Sequence, residues 1–393
     1  MWSTKKYIDL VINCLLFLVA INFLHYGQLF LPVICLILFI DNKFSFKVNN
    51  WLTFLILVLF GISFFLFSFK LGFYSTMGFC FPMAYYIGSN ILKKDKKTIK
   101  KVVYILGFGM ALHVGLNIIA DLSLDGLNMI NSVSHYDIWT QSKVPTTSTA
   151  VLTVFVISLL YYLLIHEDSK KYRILGITLF VIVMIYDLAL GRRTPIIMVL
   201  ICLLVSLFLD ACIFKNKKIN FKPAIVAFIS FGLIIVLFAL IYFLNLFGLK
   251  EYIDNFGIVK KFVEYGLDTG RLDIFFKAIK LMPEHLWGGQ EIHDILGIQV
   301  HDLWMDTYDY AGIIPFALLV THSIMFVVTF VKVLKSKRVS NDFKLFISSL
   351  FFAITLQLFL EPIMSGSSLF IIDTIIVEAC IEKVIIYGKE HYE

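Results

Sequence analysis

The stretch at residues 51–69 reads WLTFLILVLFGISFFLFSF and contains no charged side chain. A helix of this length fits the hydrocarbon core of a bilayer, because about 20 residues at 1.5 Å each cover roughly 30 Å. The whole chain has the same character: 59% of its 393 residues are hydrophobic and 16% are charged, whereas soluble domains are about 25% charged. The sequence therefore predicts an integral membrane protein and excludes a water-soluble fold.

Further apolar runs of similar length predict about twelve transmembrane helices. Continuous hydrophobicity favours helices, since the strands of a membrane barrel would alternate apolar and polar residues. The predicted fold class is all-α, a polytopic integral membrane protein with a single transmembrane domain over residues 1–393. The predicted spans lie near residues 7–24, 27–41, 51–69, 72–92, 102–122, 147–165, 174–190, 195–213, 223–247, 310–331, 343–361 and 369–387.

Basic residues gather in alternate connections between these runs. The positive-inside rule places those connections, and with twelve spans both termini, in the cytoplasm of a multi-pass plasma-membrane protein. The net charge of +6 thus reflects topology and does not indicate nucleic-acid binding. The basic clusters lie at residues 93–101, 170–173, 215–222 and 332–338.

The longest connection, residues 248–309, is predicted to be a large extracytoplasmic loop between the ninth and tenth helices. Apolar residues recur there at helical spacing before Pro283, which predicts an amphipathic helix at about 270–282. Arg271 then lies in the first turn, where a cation opposes the helix dipole and needs an anionic partner. An ordinary interfacial arginine is the alternative.

The loop ends in a segment rich in histidine, aspartate and aromatic residues. If the tenth helix begins in phase at His301, then His301, Trp304 and Tyr308 share one face while Asp302 lies on another. An imidazole can accept a proton near neutral pH or, when charged, meet a phosphate, and a purely structural histidine is the alternative. Asp302 is a reserve base, and Trp304 is placed to stack on a sugar ring.

Two arginines, Arg192 and Arg193, lie in a turn predicted to face outside, against the positive-inside pattern. Guanidinium groups are planar, permanently charged and bidentate, so they suit phosphate oxygens. Alternatively, Arg192 pairs with Asp187 and Arg193 snorkels to the interface. Glu361, at the outer end of the eleventh helix, is either a further pocket residue or a solvated helix end.

Several short motifs follow one another in an order known from one family. They are Arg193-Thr194 after the seventh helix, Thr269-Gly270-Arg271, Pro283, Gly288-Gly289, and His301 with Gly312 eleven residues on. With the predicted helices and outer loop, the chain resembles the O-antigen polymerase and O-antigen ligase superfamily. It looks most like the capsular and exopolysaccharide repeat-unit polymerases of Gram-positive bacteria. Asp302 and Met305 stand where that family commonly has Asn and Leu.

The resemblance implies a membrane glycosyltransferase that joins undecaprenyl-diphosphate-linked oligosaccharide repeat units outside the cytoplasm. It implies lipid-linked oligosaccharide donor and acceptor as partners, together with membrane lipid and a flippase and chain-length regulator of the same pathway. It implies no metal and no cofactor. Carried over to this chain, Arg193, Arg192 and Arg271 hold the diphosphate, and His301 activates the acceptor hydroxyl or steadies the diphosphate.

Two alternatives stay open at this point. A ligase would transfer the finished glycan to another acceptor, and the sequence does not separate it from a polymerase. A lipid-oligosaccharide flippase or other transporter would place charges at mid-membrane, and Asp9, Asp373 and Glu378 are candidates for such charges, although each can also be placed near a helix end.

Overall fold

The computed structural model describes residues 4–68, 76–91, 96–126, 134–213, 254, 270–337 and 339–387. This part of the chain is mostly helical, with one two-stranded hairpin. In chain order its helices and strands are α1 Thr4–Ala20, α2 Phe30–Asp41, α3 Trp51–Phe67, α4 Cys80–Ile91, α5 Lys96–Leu124, β1 Ser134–Tyr136, β2 Lys143–Pro145, α6 Thr147–Leu152, α7 Val154–Ile165, α8 Lys170–Ala189, α9 Thr194–Phe208, α10 Arg271–Leu281, α11 Glu291–Leu296, α12 Leu303–Ala311, α13 Ile313–Lys335, α14 Asn341–Leu360, α15 Ile363–Gly366 and α16 Ser368–Tyr387.

Among the described residues, six helices are long and apolar enough to cross a membrane. They are Thr98–Leu124, Thr147–Ile165, Lys170–Ala189, Thr194–Ala211, Ile313–Lys335 and Asn341–Leu360. The predicted helical class is confirmed in this part of the chain. Each predicted run contains a helix, except 223–247, which lies outside the described residues together with most of the segment 248–269. The number and orientation of the crossings stay predictions.

The chain divides into two compact units. The first comprises residues 1–110, 270–340 and 354–393, and the second comprises residues 111–269 and 341–353.

Helix α16 forms the centre of the first unit. Every residue from Phe370 to Glu382 is buried, so this helix is covered on all sides. Its main neighbour is α4, in which Ala84 and Gly88 form the small-xxx-small pattern that lets two backbones approach closely. A Cβ atom at Gly88 would lie only 2.2 Å from the carbonyl oxygen of Ile376.

In the second unit, α7 packs against α8 and α9, and its C-terminal end is fixed by His166. The Nε2 atom of His166 lies 2.8 Å from Asp210 Oδ2, and Nδ1 lies 3.3 Å from Asp342 Oδ1. Burial lowers the pKa of His166, but the two carboxylates outweigh it and raise the pKa to about 9. A charged histidine therefore ties α7 to the end of α9 and to the start of α14.

The second unit contains the hairpin, which lies within the segment 123–146. The all-α prediction did not include it. Its antiparallel register pairs Ser134 with Pro145, His135 with Val144 and Tyr136 with Lys143. Three-residue strands carry too little alternation to be recognised from sequence.

We expect Gly88→Ala to destabilise the first unit by about 1–3 kcal/mol or more, because the added methyl overlaps backbone of α16. The measurement is the thermal unfolding midpoint in detergent. Gly115→Ala on α5 is the matched control, since no heavy atom lies within 4 Å of its added Cβ atom. Alanine is the better helix former there by up to about 1 kcal/mol, so this midpoint should stay unchanged or rise. Equal midpoint losses in the two variants would contradict the packing argument.

Candidate functional site

Helix α10 gives Arg271 its position in the first unit. The helix begins directly after Gly270, whose backbone has a φ of +64°, and ends before a 3₁₀ turn at Met282–Glu284 that contains Pro283. It occupies the segment predicted as a helix. Its inner side packs on a small core formed by Ala278, Ile292, Val300, Met305 and Tyr308. Arg271 is therefore fixed by a packed helix.

The segment between α10 and α12 is clamped where Gly288 meets Gly312. A Cβ atom at Gly312 would lie 2.4 Å from the carbonyl oxygen of Leu286, and the φ of +79° with ψ of −169° is open essentially only to glycine. The amide of Ile313 donates to the same Leu286 oxygen at 2.9 Å. The break between α12 and α13 is thus a glycine-dependent contact that holds the loop.

Asp309 and Tyr308 hold this segment from α12. The Asp309 carboxylate accepts hydrogen bonds from the amides of Ile292 and His293 at the start of α11. The Tyr308 hydroxyl donates to the carbonyl oxygen of Met282, and the side chain is fully buried. The polar atom of Tyr308 is thus engaged in the fold, and its role in substrate binding stays a prediction.

His301 and Arg271 both face Glu361. The Nη2 atom of Arg271 lies 3.7 Å from Glu361 Oε1, and Nδ1 of His301 lies 3.8 Å from Glu361 Oε2. Glu361 is completely buried, whereas the Arg271 and His301 side chains keep 32% and 23% of their surface exposed. Arg271 also donates through Nη1 to the carbonyl oxygen of Leu360 at 2.8 Å. We name these three residues the Glu361 cluster.

The Glu361 cluster decides between two sequence-based interpretations. Glu361 is not a solvated helix end, because none of its side chain is exposed. Arg271 and His301 both keep part of their side-chain surface exposed while facing this carboxylate. At 3.8 Å, Nδ1 of His301 lies within ion-pair distance of the Glu361 carboxylate and beyond hydrogen-bond distance. A proton on Nδ1 would leave Nε2 as an acceptor. The geometry therefore suits an anion at Arg271 and a proton acceptor at His301.

The start of α12 differs from the prediction. The helix begins at Leu303 and His301 lies outside it, because Asp302 has an extended backbone and its carboxylate accepts the amide of Met305 at 2.7 Å. Asp302 is thus an N-cap, and the prediction that helical phase begins at His301 is wrong. Burial raises the pKa of Asp302 to about 6, against the opposing hydrogen bonds from Met305 and Trp304 and the nearby His301.

Trp304 is held on α12 by contacts within the first unit. Its indole Nε1 donates to the Ser323 hydroxyl at 2.9 Å, and its ring centroid lies 4.5 Å from that of Phe359. The ring is partly buried, so a part of it remains exposed. Stacking on a sugar stays a prediction for this residue.

The arginine turn lies in the second unit. Arg192 donates through Nη1 to the Thr146 hydroxyl at 3.4 Å and through Nη2 to the Thr147 hydroxyl at 3.2 Å. Arg193 immediately precedes α9, whose N-terminal amide groups also favour an anion. Both side chains are partly buried. Their proposed cooperation with Arg271 and His301 stays a prediction.

A polar stripe on α5, which was not identified from the sequence, holds the hairpin that precedes Thr146 and Thr147. His113, Asn117 and Asp121 are spaced four residues apart and face the hairpin. Asn117 accepts the amide of Ile138 at 2.9 Å, and Asp121 accepts the amide of Tyr136 at 2.6 Å. Polar residues at i, i+4 and i+8 in an apolar helix were the available signal.

The third contact of the stripe joins His113 Nε2 to Asp137 Oδ2 at 2.9 Å. Burial opposes ionisation of Asp137, but the hydrogen bonds from His113 and from the amides of Thr140 and Trp139 lower its pKa to about 2. A charged Asp137 therefore anchors the hairpin. His135, also on the hairpin, is buried with Nε2 at 2.7 Å from the Ser148 hydroxyl, and burial lowers its pKa.

Comparison of the sequence with protein-family models gives no match, and comparison with curated proteins gives none either.

We expect Asp302→Asn to stabilise the protein at pH 8. The folded pKa of about 6 lies above the ordinary 3.8, so only the folded form holds the proton between these values and stability falls as pH rises through them. The full cost, up to about 3 kcal/mol, is present above the folded pKa, and Asn removes it while still capping α12. Near pH 4 the two proteins should have nearly equal unfolding midpoints.

Asp302→Ala removes the cap and should be less stable than Asp302→Asn by about 1 kcal/mol at both pH values. The exposed Asp294→Asn is the control and should keep the wild-type pH dependence. A midpoint of Asp302→Asn that lies below wild type at pH 8 would show that the carboxylate is needed as a charge.

Proposed function

We propose that this chain is a polysaccharide polymerase, a glycosyltransferase that joins lipid-diphosphate-linked oligosaccharide repeat units on the outer side of the plasma membrane. The observation that carries the proposal is the Glu361 cluster, in which an arginine and a histidine from opposite ends of the loop meet one buried carboxylate. The family resemblance of the sequence gives the substrate class.

The reaction places a charge on each of two groups. The acceptor hydroxyl oxygen attacks the anomeric carbon of the donor, and the bond from that carbon to the diphosphate oxygen breaks. The diphosphate leaves with an additional negative charge, which the exposed edge of Arg271 stabilises. The hydroxyl proton passes to Nε2 of His301, and the imidazolium that forms lies beside Glu361.

Glu361 has two roles in this scheme. It fixes the orientation of both partners, and it balances the positive charge that appears on His301 during the transfer. Glu361 carries no exposed surface, so it acts on the substrate only through Arg271 and His301. We therefore treat it as a positioning residue. Arg192 and Arg193 complete the proposal as further phosphate ligands.

We expect Arg271→Ala and His301→Ala to abolish the ladder of longer glycans that the purified protein makes from lipid-linked repeat units. Loss of the base should lower the rate by roughly 10²- to 10⁴-fold. Arg271→Lys keeps the charge without the bidentate fork and should be intermediate. Lys280→Ala is the matched control, because Lys280 is an exposed cation on the same helix. Wild-type ladders from both alanine variants would sink the assignment of these residues.

Glu361→Gln should lower the turnover number by about 10²-fold or more with a smaller change in KM, because the tautomer and the imidazolium lose their support. The matched control is Glu291→Gln. Glu291 lies 2.5 Å from His285 on the same loop, but 57% of its side chain is exposed. If both glutamine variants keep full turnover, the Glu361 carboxylate has no part in the reaction.

The same assay separates a polymerase from a ligase. A polymerase increases the number of repeat units in the product, whereas a ligase leaves that number unchanged and changes the carrier. Mass analysis of the released glycan reads this directly.

A further inference from the structure

A second group of ionisable side chains lies at the middle of two helices in the first unit. Glu378 is the eleventh residue of the 20-residue helix α16, and His322 is the tenth of 23 in α13. Each therefore lies roughly 15 Å from the ends of its helix. Helix α13 is one of the six described helices that are long and apolar enough to cross a membrane, whereas α16 is not among them. Asp373, by comparison, is the sixth residue of α16, so its placement at mid-membrane or near a helix end stays a prediction.

The contacts join three helices. His322 Nε2 on α13 lies 2.9 Å from Glu378 Oε2 on α16. Glu382, one turn further along α16, accepts a hydrogen bond from the Tyr85 hydroxyl on α4 and one from the Thr329 hydroxyl on α13 at 3.3 Å. We name His322, Glu378, Glu382 and Tyr85 the His322 cluster. All four side chains are buried.

The His322 cluster has one acidic group more than it can balance. The charged groups that act on His322 are Glu378 and, more weakly, Glu382. The charged groups that act on Glu382 are Glu378 and His322. Tyr85 contributes a neutral donor. With His322 charged and both carboxyls ionised, one negative charge would remain in an apolar interior, which is costly. In addition, both Glu378 oxygens and His322 Nε2 are buried without a hydrogen bond of good geometry among the described residues, so the 2.9 Å contact is an ion-pair contact.

We propose that the His322 cluster is a buried proton-binding site, in which Glu378 and Glu382 share one exchangeable proton. A proton cancels the excess negative charge and, unlike a metal cation, needs no further oxygen ligands. Adjacent carboxyls that share one proton titrate as a pair. Buried ionisable pairs in membrane proteins are typical of those that move protons or couple a reaction to them. The site is separate from the Glu361 cluster, and it does not depend on the proposed glycosyl transfer.

The test is the infrared C=O band of protonated carboxyls, measured at pH 8 in nanodiscs. All proteins carry Asp373→Asn, because Asp373 is fully buried with neither oxygen hydrogen-bonded among the described residues and would add its own band. This parent should show the band, with the shift in D₂O that an exchangeable proton gives. Glu378→Gln and Glu382→Gln should each lose it, since one carboxyl is then balanced by His322.

His322→Gln should have the opposite effect. Without the imidazole both carboxyls are unbalanced, so the band should grow to about twice the parent intensity, in line with one proton for each buried carboxyl. Glu291→Gln changes an exposed carboxyl and should leave the band as it is. Size-exclusion profiles and unfolding midpoints show whether each variant is folded.

Three results would overturn the proposal. The first is the absence of the C=O band at pH 8 from the parent protein that carries only Asp373→Asn. This result is sufficient without any further variant. The second is a band that survives both glutamine substitutions or falls in His322→Gln. The third is a band that disappears when sodium chloride replaces choline chloride, because the bound cation would then be sodium.

Discussion

An ionised carboxylate that is buried in an apolar helical protein needs a donor or a cation, because an isolated buried charge costs several kcal/mol. In this chain the partner is repeatedly a histidine. Asp137 meets His113, Asp210 meets His166, Glu361 faces His301, and Glu378 meets His322. Each pair joins segments that are distant in sequence. Apolar packing fills the two units, and these pairs determine which segments lie together within each of them.

The pairs differ in what surrounds the histidine, and this difference separates structural sites from chemical ones. Asp137 and Asp210 also accept hydrogen bonds from nearby protein donors, backbone amides for Asp137 and the Tyr161 hydroxyl for Asp210. Their pairs therefore act as anchors. At the Glu361 cluster the side chains of Arg271 and His301 keep an exposed edge, so a ligand can complete the contacts.

The helical class could be predicted from the sequence, and the three residues of the Glu361 cluster were among the sequence-based candidates. Apolar runs of helical length are an unambiguous signal, and Arg271, His301 and Glu361 stood out because charged or ionisable groups beside apolar helices are rare. Their convergence could not be predicted, since it depends on where residues 271, 301 and 361 meet in space. The roles of Asp302 and Tyr308 were missed for a related reason. An N-cap and a hydroxyl bonded to a distant carbonyl are recognised only when the helix start and the loop path are known.

The two clusters of the first unit have opposite charge imbalances, so they favour ligands of opposite sign. At the Glu361 cluster, two basic side chains, Arg271 and His301, face one carboxylate, so the site favours an anion at its exposed surface. At the His322 cluster, two carboxyls face one imidazole, so the site favours a cation that is small enough for a buried space. A diphosphate satisfies the first requirement and a proton satisfies the second. The same pairing rule therefore accounts for both proposed sites, a substrate site at the Glu361 cluster and a proton site at the His322 cluster, without requiring that either site control the other.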